Sequence, residues 1–290
     1  AFNGCGSLKN LFISQNTKAP DGDTITNLVL RTTYKIIYQD NFADPNDPTA
    51  KITSIESGED AGELVNLPTY LVLHDGSENG INLRLTEVDP GYRDKISQNH
   101  SHIPDSSGKC TLCNLDCGES KGTTWAVTDN GTLIISAVET ANDNIKGKME
   151  NYPSGNDVRP WSGKTISALE IKEGVISIGD NAFKGLSIDK IIIPSSVKNI
   201  GQGAFSEIST LKPDTLPDGT DTGTRTVFLP PMVENIGSEV FKGTDVDLIL
   251  YPNEIMLGAL PANTVRAFYK EDGDTVSIIK VDKDGFTGTY

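Results

Sequence analysis

Three stretches of this chain repeat one another: EGVISIGDNAFKG at 173–185, SSVKNIGQGAFSE at 195–207 and PMVENIGSEVFKG at 231–243. The first two copies start 22 residues apart, and the third starts 36 residues after the second. Aligned, they form columns of one residue type: Val175, Val197 and Val233; Ile178, Ile200 and Ile236; Gly179, Gly201 and Gly237; Phe183, Phe205 and Phe241. Stacking dictates such columns, because each copy is too small to bury its own apolar side and must lay it against the next copy. Ahead of each copy lies a short run, LEIK at 169, IIIP at 191 and VFLP at 227, whose first and third positions are aliphatic. In a strand those two positions share one face, and they are expected to point inward. The residue between them, Glu170, Ile192 or Phe228, changes character freely and is expected on the opposite face, which makes this row the candidate ligand face.

A period of about 20–29 residues with one strand in each unit predicts a leucine-rich-repeat solenoid, mostly β, in which a parallel strand ladder is backed by short helical or irregular convex segments. Neighbouring turns about 4.8 Å apart would satisfy one another's backbone groups, with the Phe column closing the convex side. The glycine after each Ile predicts a tight or left-handed turn, with close backbone approach between turns as the alternative. ILYP at 249 supplies a fourth strand, and the polar run LKPDTLPDGTDTGTR, 211–225, which lengthens the third interval, is expected as an exposed flap. Loop closure entropy grows only with the logarithm of length, so such an insertion costs little. The pattern I-P-S-S-V-x-x-I-G-x-x-A-F, present as IIIPSSVKNIGQGAF at 191–205, resembles the BspA-like class of bacterial leucine-rich repeats; the third copy departs from it with Val240 in place of Ala. The resemblance implies a cell-surface or secreted protein concerned with adhesion to host proteins or with interactions between cells.

The rest of the chain is read around this array. LPANTVRAFYKEDGDTVSIIKV, 260–281, predicts a β-hairpin capping its end, and TTWAVTDNGTLIISA, from 123, resembles the entry segment of such arrays, with Trp125 and Trp161 as core or cap packing and carbohydrate stacking by either ring as the alternative. AFNGCGSLKNLFIS, with Phe2 in the aromatic column and Cys5 in a packing position, and LVLRTTYKIIYQDNF, 28–42, read as degenerate repeats; Leu28, Leu30, Tyr34, Ile37 and Phe42 fall at the offsets of Leu169, Ile171, Val175, Ile178 and Phe183. LPTYLVLHDGSENGINLRLTEV, 67–88, reads as a second hairpin cap. The expected organisation is therefore a degenerate array with its cap at 1–95, a Cys/His linker at 96–122, an N-terminal cap at 123–168 and the main array with its hairpin at 169–290.

Within the linker, His100, His102, Cys110, Cys113 and Cys117 follow the order H-x-H-x7-C-x2-C-x3-C. Four such donors can wrap a tetrahedral zinc ion, the one cofactor the sequence suggests, and a segment poor in aliphatics would take its order from the metal. A Cys110–Cys113 or Cys113–Cys117 disulfide, or thiols without a role, are the alternatives. Catalysis finds little support: His74 beside Asp75 lacks a third partner, and no phosphate-binding or nucleophile-elbow motif is present. The acidic turns at 21–23, 218–221 and 282–285 lack the ligand ladder of a calcium loop. Twenty-five Lys and Arg against forty Asp and Glu, a formal charge of −15, repel phosphate backbones and argue against nucleic acid as a partner. No run approaches the roughly 18 apolar residues of a membrane span. AFNGCGSLKN lacks the features of a signal peptide, so a signal or anchor is expected outside these residues. The sequence thus predicts a non-catalytic binding module for an extracellular or host protein or a glycan; the alternative is a structural spacer in a larger surface protein.

Overall fold

The structure, a computed structural model, describes residues 10–14, 34–57, 64–68, 70–73, 81–98, 100, 102–138, 141–155, 157–251, 264–272 and 275–282. Phe2, Cys5, Leu28, Leu30, His74, Asp75 and the turns at 21–23 and 283–285 lie outside these residues. The described chain is mostly β with almost no helix, and its strands fall into four sheets that curl only in part. Two compact units divide the chain, Ala1–Asp116 and Cys117–Tyr290.

In the second unit, β6 (Asp116–Ser120), β7 (Thr123–Val127), β8 (Thr132–Ala137) and β9 (Ala168–Ile171) form a sheet in that order. β7 and β8 are an antiparallel hairpin, and β8 runs parallel to β9, so the hairpin feeds directly into the first repeat strand. The Ser-Ile and Asn-Ile pairs of the three copies form a parallel ladder, β10 (Ser177–Ile178), β11 (Asn199–Ile200) and β13 (Asn235–Ile236), in register column by column. β12 (Thr226–Phe228) pairs with β14 (Leu248–Tyr251), which pairs parallel with β15 (Val265–Asp272); β15 and β16 (Thr275–Asp282) form the terminal antiparallel hairpin.

The core of this unit is one cluster running from Trp125 to Phe268. Its spine is aromatic: Trp161, Phe183, Phe205 and Phe241 stack face on face, with centroid separations of 6.1, 5.4 and 5.8 Å. The predicted Phe column is therefore a physical stack, and Trp161 opens it, with Trp125 and Tyr152 set edge-on against Trp161.

Two expectations are corrected here. IIIP at 191–194 is not a hydrogen-bonded strand. The lengthened third repeat lays residues 210–212 beside 188–189, where Lys212 N–H donates to Asp189 O and Thr210 Oγ1 donates to Ile188 O. β9 and β12 consequently belong to different sheets. The second concerns Gly179, Gly201 and Gly237, whose φ is not positive. A Cβ at these positions would lie 1.8 Å from Glu150 O, 2.5 Å from Asp180 N and 2.4 Å from Gln202 N, so close backbone approach between turns requires glycine. The left-handed residues fall two and six positions later, at Asn181, Gly203 and Glu239 and at Gly185, Glu207 and Gly243.

The first unit is built differently. β1 (Asn10–Ser14) pairs parallel with β2 (Tyr34–Asn41), β2 antiparallel with β3 (Thr49–Ser57), β3 parallel with β5 (Ile81–Val88), and β5 antiparallel with β4 (Tyr70–Leu73). The resulting five-stranded sheet has order β1-β2-β3-β5-β4. The run expected as a degenerate repeat departs from the repeat geometry. Residues 34–41 form one eight-residue strand where the repeats have two-residue strands, and Phe42 is exposed, unlike Phe183. Ile36 and Ile37 are buried in succession, so this strand is covered on both faces and does not follow one-sided alternation.

Candidate functional site

The row between the inward aliphatics keeps its alternation even where the ladder is broken. Leu169, Ile171, Ile191, Ile193, Val227 and Leu229 are buried, whereas Glu170 is exposed and Ile192 and Phe228 are 60% and 54% exposed. Glu170 pairs with Lys172 at 2.5 Å. The next position of this row, Leu250, is covered by a small group containing Ala267 and Tyr269, and Tyr269 donates its hydroxyl hydrogen to Leu229 O. The terminal hairpin thus closes the row beyond Phe228. Leu211 starts the 211–225 run buried in the core, and residues 215–223 are an exposed turn, tied at its base where Asp214 O accepts the Thr222 amide and Asp214 N–H donates to Thr224 O.

The Cys/His segment is not an unattached linker. Residues 102–116 dock on β5: Thr111 Oγ1 donates to Thr86 O and Val88 N–H donates to Thr111 O, with Leu112 and Leu115 buried beneath. Compact-unit boundaries fall at Asp116, and β6 joins the second unit's sheet, so the expected 96–122 linker is divided between the two units. A short hairpin, in which Thr111 N–H donates to Ile103 O and Asp105 N–H to Lys109 O, brings the histidines back over the cysteines. The Cys110–Cys113 turn is closed by Asn114, left-handed at φ 67°, whose amide donates to Cys110 O.

Together these place His100, His102, Cys110 and Cys113 with one donor atom each, all within 4.8 Å of one another. Cys110 Sγ lies 3.6 Å from His100 Nε2, and Cys113 Sγ lies 3.6 Å from His102 Nδ1. The His100 Nδ1 is 2.7 Å from Ser97 O, which fixes a proton on Nδ1 and leaves the Nε2 lone pair facing the thiol. The Leu112 amide donates to Cys110 Sγ at 3.4 Å. His102 and Cys110 are buried, and His102 Nε2 has no hydrogen-bond partner. Cys117, the fifth sequence candidate, is buried on β6 outside this group. No disulfide joins Cys110, Cys113 and Cys117 in the structure.

Residues 161–257 match the family described as BspA type Leucine rich repeat region, in six copies. This stretch is similar to BspA-type repeats. None of the curated proteins matches the chain. Among solved structures, a leucine-rich repeat protein from Eubacterium ventriosum is similar, at 20% identity and a TM-score of 0.36, over 55% of this chain and 47% of that one. No helix among the described residues is long and apolar enough to cross a membrane.

In the matched repeats, sequence reading gave Pro-Ser-Ser no task, and the structure supplies one. Glu173 accepts from Ser195 N, Ser195 Oγ and Ser196 N of the next repeat at 2.9–3.0 Å, while Ser196 Oγ takes the Gly174 amide and donates to Val175 O. Burial pushes the Glu173 carboxyl up, and these hydrogen bonds outweigh it, holding the group below its ordinary range. Asp180 likewise accepts a hydrogen bond from Gln202 N at 2.7 Å. An acidic residue 22 positions ahead of a Ser was the available signal. Arg159 forms a bidentate pair with Asp157 and donates Nη1 to Lys184 O at 2.6 Å, which satisfies a turn carbonyl at the end of the first copy.

Proposed function

We propose that the chain is a non-catalytic binding module of a cell-surface or secreted protein, and that its BspA-type repeats form a short solenoid whose strand face receives an extracellular or host protein. The observation that carries this reading is the exposure of Ile192 and Phe228, large apolar side chains held outward between buried aliphatics that fix their direction. A solvated spacer face gains nothing from such residues, whereas an interface gains from an aromatic anchor. Glu170, paired with Lys172, supplies a charged rim to the same row. Leucine-rich repeats act through an extended surface in place of a cleft. Adhesion is the role that suits this arrangement.

The test compares the wild type with Ile192→Ser/Phe228→Ser, and separately with Glu170→Ala, for retention on immobilised extracellular-matrix protein and on glycan arrays. Loss of protein retention in the double variant, with a melting temperature within about 2 °C of wild type, is the expected result. Undiminished retention would remove the strand face. Retention on glycans alone would replace the protein partner with a carbohydrate. No saturable retention by the wild type on either surface would favour the spacer.

A further inference from the structure

We propose that His100, His102, Cys110 and Cys113 are the four ligands of a structural zinc ion in the first compact unit. The argument is geometric. With Zn–S at about 2.3 Å and Zn–N at about 2.0–2.1 Å, a tetrahedral angle sets the S···N edge at about 3.6 Å. Both thiol–imidazole separations are 3.6 Å, and each pairs one sulfur with one nitrogen from opposite sides of the short hairpin. All four donor atoms stay within 4.8 Å of one another, a span that one ion of this size bridges.

The surroundings complete the chemistry. The Ser97 carbonyl holds the His100 ring in the tautomer that leaves Nε2 to bind, the usual outer-shell arrangement for a ligating imidazole. The Leu112 amide is directed at Cys110 Sγ at 3.4 Å and holds the sulfur in position. Two thiolates and two neutral imidazoles carry a charge of −2, matched by one divalent ion, which makes the burial of this polar group favourable. His102 is 2% exposed and its Nε2 is buried without a partner, so a strong interaction at the other ring nitrogen is needed to hold the ring in place. Soft sulfur with imidazole in a compact tetrahedron selects zinc over magnesium or calcium. Four protein ligands leave no position for water, so the role is structural: the ion fastens the 100–113 hairpin, which has few buried aliphatics, onto β5.

The experiment uses the full chain without an affinity tag, purified under reducing conditions. Elemental analysis is expected to give one zinc per chain. Cobalt exchanged into the site is expected to show the intense visible bands of a tetrahedral ion with thiolate charge transfer in the near ultraviolet. Cys113→Ser and His102→Ala are each expected to weaken zinc at least about 100-fold in competition with a chromogenic chelator. Cys117→Ser is expected to leave affinity unchanged. The cobalt spectrum of the wild type depends on no variant folding. Substoichiometric zinc after reconstitution of the reduced chain, an octahedral cobalt spectrum, or a loss with Cys117→Ser equal to that with Cys113→Ser would each overturn the assignment.

Discussion

The repeat stack and the 100–113 hairpin face one physical problem with different materials. Both are short turns with too little chain to enclose a core. The repeats solve it by copying: Phe205 sits between Phe183 and Phe241, and Ile200 is in register between Ile178 and Ile236, so these positions are flanked by equivalent residues. The hairpin has no second copy to lean on. Among its described residues Leu112 is the buried aliphatic, and the hairpin gathers sulfur and nitrogen instead. A repeated sequence distributes its stability along the stack, whereas a unique one must concentrate it at a point.

The sharpest way to break this comparison is to remove the central ring. Phe205→Ala is expected to cost about 3–5 kcal/mol, read as a lowered midpoint in urea unfolding followed by tryptophan fluorescence, since Trp161 lies in the same stack. Cobalt binding by the hairpin is expected to survive that change. Simultaneous loss would mean that the two regions do not stand independently. Next in size is Gly201→Ala, whose Cβ would lie 2.6 Å from Gly179 C and 2.5 Å from Asp180 N. It is expected to cost about 2–3 kcal/mol by forcing two turns apart. Gly185→Ala meets nothing within 4 Å and bears only its left-handed φ of 67°, for about 1 kcal/mol. Equal effects would refute spacing by backbone contact.

Smaller effects test the electrostatic seams. Glu173→Gln is expected to cost about 0.5–1 kcal/mol, because a neutral amide oxygen accepts the Ser195 and Ser196 amides less well than a carboxylate does. Asp157 gives the smallest change. Its hydrogen bonds from Arg159 lower the carboxyl from 3.8 to about 2, so its contribution is fully present above the unfolded value and is lost as pH falls through the folded one. The side chain is 42% exposed, which limits the effect to below about 1 kcal/mol. The melting-temperature gap between wild type and Asp157→Asn is expected to shrink from pH 3.8 to 2 and to stay constant above that window.

Legibility followed the same divide. In the repeats, vertical columns made burial, the aromatic stack and the outward direction of Ile192 and Phe228 readable from one line of sequence. The glycine column was readable as a constraint but not as to its kind, because close approach depends on where the neighbouring backbone lies. The broken strand at 191–193 was hidden for a related reason: an insertion's length is visible, but where residues 210–212 settle is not. In the first unit the offsets of Tyr34, Ile37 and Phe42 imitated a repeat. Apolar residues at such spacing also suit a two-sided strand, and without a second copy no column existed to separate the cases. Donor types identified the metal candidates, yet only the hairpin pairing of Ile103 with Thr111 selects four of the five.

The amides of Ser195 and Ser196 rest on a carboxylate 22 residues upstream, and the glycines of each turn lie against the preceding one. The array can therefore change length cleanly only in whole modules, because a partial duplication would strand an acid without its amides and seat a side chain where no gap exists. Extra residues are tolerated where the 211–225 turn already leaves the stack, so variation between relatives should gather there while the pitch of the array stays fixed.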